Sequence, residues 1–178
     1  MHDVQSATPR SVVQIGNLVN AVWDVQATDW MLPLFHALAR KYAPVRVGET
    51  GFRGGTSAAA WLIAARDYGG HVYSMDIDQC EPGRQFVAEL GLSRYHTFIQ
   101  ADSREGMFPE MLDILFIDGD HSAEGVKNDR ERFGPLVRSG GVILYHDTLS
   151  EPSVGLYTRQ RGIAEIPIGA GLAIEAIP

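Results

Sequence analysis

The stretch Val45-Arg46-Val47-Gly48-Glu49-Thr50-Gly51-Phe52-Arg53-Gly54-Gly55-Thr56-Ser57-Ala58-Ala59-Ala60 sets the fold. A short β-branched run ends in an acid, passes through a glycine-rich turn and enters a run of helix formers, which predicts a strand, a tight turn and a helix. Downstream the alternation repeats. Extended runs are expected at His71 to Asp76, His96 to Gln100, Asp113 to Ile117 and Val142 to His146, with helices at Gly55 to Asp67, Glu81 to Leu90 and Ser122 to Val137, and a short turn near Ser103 to Phe108. Strand alternating with helix at this spacing indicates βαβ units and a mostly parallel sheet covered on both faces. Upstream, apolar residues at helical spacing (Val12, Ile15, Leu18, Val19, then Met31, Leu34, Phe35, Leu38) predict two helices between residues 11 and 42. The chain closes with Ile163 to Ile168, a Gly169-Ala170-Gly171 turn and Leu172 to Ile177, an expected antiparallel hairpin that brings the strand count to seven. Pro152, Ser153 and Gly155 predict a loop over Ser150 to Gly162, with at most a short helix.

Composition narrows the class. The chain has 178 residues, 45% hydrophobic and 21% charged, with 19 Gly and 9 Pro spread along it, which fits one folded domain and excludes disordered, collagen-like and coiled-coil readings. A net charge of -7 with no basic stripe argues against nucleic acid as a partner. The longest apolar run, Ala58 to Ala65, is too short to span a bilayer, and Met1-His2-Asp3-Val4 does not open a signal peptide, so a cytoplasmic protein without a membrane partner is expected. Cys80 is the only cysteine, which excludes an internal disulfide and a multi-cysteine metal site.

In an open α/β sheet ligands bind beyond the carboxyl ends of the strands. Every strand tip here carries an acid: Glu49 before the glycine turn, Asp76 and Asp78 after the second run, Asp102-Ser103 after the third, Asp118-Gly119-Asp120-His121 after the fourth and His146-Asp147 after the fifth. Each has an ordinary structural use as well. Asp120 or Ser122 could cap the following helix, Asp76 and Asp102 could be solvated loop acids, and His121 and His146 could be hydrogen-bonded structural histidines. Five acidic tips on one sheet edge nevertheless repel one another unless a cation sits among them. A nicotinamide dinucleotide is anionic, and of its glycine fingerprint only the first position matches; the P-loop pattern is absent. A cofactor bearing a sulfonium and an ammonium suits the acidic edge, with its single carboxylate near a helix start.

With these residues in view, the sequence resembles class I S-adenosylmethionine-dependent methyltransferases, specifically the small bacterial methyltransferase family 24 and the metal-dependent sugar O-methyltransferases. Glu49-x-Gly51-x-x-x-Gly55 is similar to the first cofactor motif, Val72-Tyr73-Ser74-Met75-Asp76 to the second and Gln100-Ala101-Asp102-Ser103 to the third. Leu115 to Val126 and Gly140 to Thr148 complete the order. The resemblance implies a Rossmann-like fold with a seven-stranded, mostly parallel sheet, helices on both faces and a C-terminal antiparallel hairpin. It implies one methyltransferase domain over residues 1–178: a helical segment at 1–43, a cofactor-binding core at 44–148 and a loop with the terminal hairpin at 149–178.

Carried over by position, the resemblance implies that Gly51 and Gly55 admit the methionyl part of S-adenosylmethionine, Glu49 lies near its ammonium, Asp76 holds the ribose hydroxyls and Asp102 with Ser103 flanks the adenine. Asp118 would adjoin the cofactor and, with His146 and Asp147, bind a divalent metal, Mn²⁺, Mg²⁺ or a later transition ion. Asp120, His121 and His146 are the implied catalytic groups. Arg53 stands where glycine is frequent, and His146 where an acid commonly completes the metal pair. The expected activity is O-methylation of a small-molecule acceptor, a sugar or other polar metabolite. A cofactor-binding protein without transfer and a nicotinamide-dependent oxidoreductase are the alternatives. The aromatic residues Trp23, Trp30 and Phe35 could serve as a lid, a homodimer contact or core.

Overall fold

A computed structural model describes residues 32–167 and 169–178. The first of the two expected N-terminal helices falls outside them. The second is helix α1, Leu32–Lys41. The remaining elements in chain order are β1 (Val45–Thr50), α2 (Thr56–Tyr68), β2 (Gly70–Asp76), α3 (Glu81–Glu89), β3 (His96–Gln100), β4 (Leu112–Ile117), α4 (Ala123–Phe133), β5 (Val137–His146), α5 (Pro152–Gln160), β6 (Ala164–Ile166) and β7 (Leu172–Ala176). The seven strands form one sheet in the order β3-β2-β1-β4-β5-β7-β6. The first five run parallel, whereas β7 pairs antiparallel with both β5 and β6. Strand order reverses between β1 and β4, so the chain leaves those strands in opposite directions and a crevice opens at their carboxyl ends.

Both faces of the sheet are covered, and β4 shows the result: all six of its residues are buried. Ile114 and Phe116 pack on the side of α1 and α2, while Leu115 and Ile117 pack with Phe133 and Tyr157 on the side of α4 and α5. A strand buried on both faces reads as a continuous apolar run. Its one acid, Asp113, accepts the Arg46 backbone N–H at 2.6 Å and pairs with Arg138. Helix α2 is buried from Ser57 through Ala65 because its alanines let sheet and α1 approach from opposite sides, so the longest apolar run of the sequence is a core helix. No described helix is long and apolar enough to cross a membrane.

The expected loop at Ser150 to Gly162 is instead largely helix α5. Pro152 occupies the first turn, where its missing N–H costs nothing, and Val154, Tyr157 and Thr158 turn a buried face inward. Gly155, read from sequence as a breaker, is there for space: a Cβ would lie 2.1 Å from the Thr148 carbonyl oxygen. At the other boundary that moved, α4 ends at Phe133 rather than Val137, and β5 begins at Val137 rather than Val142. Gly134-Pro135 turns the chain through a single 3-10 turn, and a bulge opposite Leu112 and Ile114 lets the strand start early.

Phe35 anchors α1 to the sheet, stacked on Trp61 with ring centroids 4.3 Å apart and edge-on to Phe116 at 5.0 Å. All three rings are fully buried. Truncation of such a residue removes transfer free energy and leaves a cavity, so Phe35→Ala is expected to lower unfolding free energy by about 3–5 kcal/mol, read from denaturant titration.

Candidate active site

The carboxyl ends of β1 to β4 and the start of α4 enclose a cavity of about 500 Å³. Its wall is made by Thr50, Gly51 and Arg53 from the first turn, Asp76, Ile77 and Asp78 after β2, Asp102, Ser103 and Arg104 after β3, and Asp118, Gly119 and Asp120 after β4. Gly51 has φ +86°, and a Cβ there would lie 2.0 Å from the Asp118 carbonyl oxygen, so the turn closes only around glycine. Gly55, at φ +75°, caps α2 and packs on Phe52 and Gly83 rather than lining the cavity.

The Asp76 carboxylate accepts backbone N–H groups from Arg53 and Asp78, each at 3.0 Å, which orients it at the rim. Asp102 is gripped by its neighbour: Arg104 Nε reaches both carboxylate oxygens, at 2.9 and 3.1 Å, and these bonds hold the acid down to about 2. Ile77 stands 63% exposed at the same rim, an apolar side chain in water beside an acidic cavity.

Glu49 is the strand-tip acid most shielded from solvent. It is fully buried behind the wall, where it accepts hydrogen bonds from Ser57 Oγ at 2.9 Å and Ser74 Oγ at 2.7 Å. Ser74 Oγ in turn lies 2.8 Å from His96 Nε2. Burial raises the Glu49 carboxyl to about 8 against the partial relief of the two serines. Ser74 carried no signal in sequence beyond its place in the second motif, and Ser57 none beyond its place just after the first.

The tips of β4 and β5 bring a second group together. Ligand atoms of Asp118, His121 and Asp147 lie within 4.8 Å of one another, close enough for one cation to reach all three. His121 Nε2 is 3.4 Å from both Asp118 Oδ1 and Asp147 Oδ2, and its Nδ1 lies 3.9 Å from Glu151 Oε1. Hydrogen bonding to Asp118 raises the His121 pKa. Asp147 adopts φ +59°, a left-handed conformation rare for a non-glycine residue, and Ser150 Oγ donates to its Oδ1 at 2.8 Å. Strain of this kind persists where surrounding structure enforces it.

His146, expected as the third ligand, lies behind this group. It is 4% exposed, and Nδ1 sits 2.8 Å from Asp118 Oδ1 and 3.4 Å from Asp147 Oδ2. Burial opposes its charge, but the two carboxylates outweigh it and push the imidazole up to about 10. Nε2 is buried without a partner, so the proton shared with the acids belongs on Nδ1. Asp120 is not part of the cluster; its Oδ1 accepts the Ser122 N–H at 2.8 Å, while Ser122 Oγ caps α4 by accepting the Gly125 N–H at 3.0 Å. Glu151 was missed in sequence because its segment read as loop.

The open sheet in the order 3-2-1-4-5-7-6 places an acid-lined crevice at its switch point, and the family match marks the chain as an S-adenosylmethionine-dependent methyltransferase. Residues 49–148 match the family model of a methyltransferase domain, Methyltransf_24, and the chain belongs to that family. Among curated proteins none matches the sequence. The structure is similar to that of the S-adenosylhomocysteine-bound methyltransferase PaMTH1 of Podospora anserina, with TM-score 0.78 and 15% identity over 96% of this chain and 88% of that one. It is also similar to a candidate caffeoyl-CoA O-methyltransferase of Staphylococcus aureus (TM-score 0.72, 19% identity, 92% and 90% covered). A third similar structure is the O-methyltransferase TomG of Streptomyces achromogenes, involved in tomaymycin synthesis and solved with S-adenosylmethionine (TM-score 0.68, 16% identity, 94% and 89% covered).

Glu49 yields a pH signature. Its carboxyl is raised in the folded state, so protonation stabilises the fold below the ordinary value of 4.5, and that contribution is lost as pH rises toward about 8. Glu49→Gln removes the loss. The melting temperature of Glu49→Gln relative to wild type is therefore expected to climb between pH 5 and pH 8 and to level off above that; a difference independent of pH would refute the assignment.

Proposed function

We propose that the protein transfers the methyl group of S-adenosylmethionine to a hydroxyl of a small polar acceptor, a sugar or related metabolite, with a divalent cation held by Asp118, His121 and Asp147. The observation that carries this reading is the convergence of those three side chains at the tips of β4 and β5, beside the cavity at the switch point. Two carboxylates and one imidazole form a mixed oxygen and nitrogen donor set suited to Mn²⁺ and later transition ions as well as Mg²⁺. The donor set therefore fits a divalent ion. His121 replaces His146 as the nitrogen ligand in this proposal because it is the histidine on the accessible side of the carboxylates, whereas His146 orients Asp118 from behind.

When bound, the cofactor would supply an electrophilic methyl group on a sulfonium, and a cation held by Asp118, His121 and Asp147 would polarise the acceptor hydroxyl and lower its pKa. Within the cavity, Gly51 lets the chain approach the methionyl part, Asp76 accepts from the ribose hydroxyls, and Ser103 with the Asp102–Arg104 pair bounds the adenine. Gly55 acts by shaping the turn, and Glu49 by supporting the wall rather than by touching the ammonium. Asp120 is the proposed general base: it lines the cavity, its Oδ1 is fixed by Ser122, and its Oδ2 is free of hydrogen bonds among the described residues. Holding acceptor and methyl group in line is the main contribution, worth about 7–11 kcal/mol at best. A metal-free reading is favoured by one observation, that His121 bridges the two carboxylates at equal distance. In that case His121 takes the acceptor proton and His146 supplies the positive charge.

Two experiments test these assignments. Asp76→Ala is expected to weaken S-adenosylmethionine binding at least tenfold by calorimetry with the fold intact, since alanine cannot replace charge-assisted bonds to a diol; unchanged affinity removes Asp76 from the site. Chelator-stripped protein is expected to bind Mn²⁺ more tightly than Mg²⁺, to lose this preference in His121→Ala, and to bind more weakly once protons compete for the imidazole at acid pH. If stripped protein binds neither ion and still methylates an alcohol with labelled cofactor, the cation assignment fails and His121 becomes the base.

A further inference from the structure

Asp129, in the second turn of α4, is a charged residue with no part in the chemistry above, yet it is 0% exposed. Asn128 Nδ2 donates to its Oδ1 at 3.4 Å, and Oδ2 has no partner. The Thr50 hydroxyl, at the tip of β1, is likewise buried and unpaired. These two unsatisfied atoms crowd one point: a Cβ built on Gly119, at the tip of β4, would lie 3.4 Å from Thr50 Oγ1 and 3.6 Å from Asp129 Oδ2. Ser103, at the tip of β3, also bears on the carboxyl, and with Thr50 and Asn128 it offsets part of the rise in pKa that burial imposes. Thr50, Ser103, Gly119 and Asn128 all line the cavity, whereas Asp129 does not.

A buried carboxyl without a full set of partners is unfavourable, and an apolar residue of the same shape would serve packing at least as well. Its place at the junction of three strand tips gives it a different use. We propose that Asp129 is a positioning residue for the cofactor: from behind the wall it fixes the side chains of Thr50 and Ser103 relative to Gly119, and so sets the shape of the surface on which the adenosyl group rests. The inference relies on the cofactor reading given above. It assigns Asp129 no contact with the cofactor and no proton transfer. At the same junction the Thr50 backbone carbonyl accepts the Asp118 N–H at 3.0 Å.

The test uses the full chain and S-adenosylhomocysteine as probe, with calorimetry for affinity and thermal unfolding for stability. Asp129→Leu keeps the branched shape and removes the hydrogen-bonding edge, so the melting temperature is expected to hold within a few degrees while the Kd weakens at least tenfold. Asp129→Asn retains that edge and is expected to restore the Kd to within threefold of wild type. A residue serving stability alone would give the reverse pattern, a lowered melting temperature with unchanged affinity. The inference is overturned if Asp129→Leu weakens binding less than tenfold, or if Asp129→Asn loses as much as Asp129→Leu. If Asp129→Leu does not fold, Asp129→Asn decides alone, with retention within threefold in support and a tenfold loss against. Failure of the wild-type chain to bind S-adenosylhomocysteine would instead overturn the cofactor reading itself.

Discussion

Asp118 is fixed on every side, and the functional end of the molecule is arranged around it. Its N–H is bound by the Thr50 carbonyl at 3.0 Å, which joins the tips of β1 and β4 at the point where strand order reverses. Its own carbonyl presses so closely on Gly51 that no side chain fits there. Its carboxylate meets His146 from behind and His121 from in front. One residue thereby couples the glycine turn after β1 to the carboxylate and histidine cluster at β5, and displacement of its backbone would disturb both.

Concentrating acids on one sheet edge has an electrostatic cost that this protein meets locally. Arg104 neutralises Asp102 within its own turn, backbone amides solvate Asp76, and two histidines stand between Asp118 and Asp147. Glu49 follows another route, in which burial favours the protonated carboxyl and no countercharge is required. Asp76, Asp102, Asp118 and Asp120 face the cavity, which suits a cationic ligand.

Much of the fold was legible because period and punctuation agreed. The β-branched runs at β1, β2 and β4, and the Ser122 cap of α4, are local signals that tertiary packing reinforced. Helix α5 was not legible: Pro152 and Gly155 look like breakers in isolation, and only the Thr148 carbonyl lying against Gly155 shows why a small residue is needed in a helix there. The same limit applies to the site. Strand-tip acids could be found from sequence because topology puts them on one edge. Which histidine faces solvent could not, since His121 lies on a loop and His146 on a strand end whose orientations are fixed by packing against Phe116 and Glu151. Nor does motif position reveal that Ser57 and Ser74 donate to the Glu49 carboxylate.

Ile77 carries a thermodynamic consequence. Its side chain meets water at the cavity rim, next to Asp76 and Asp78. A ligand filling the cavity removes that apolar surface from solvent, so association carries a negative heat-capacity change on top of its polar contacts. The enthalpy of binding then becomes more favourable as temperature rises, and the entropy less so, with the two trends largely cancelling in affinity.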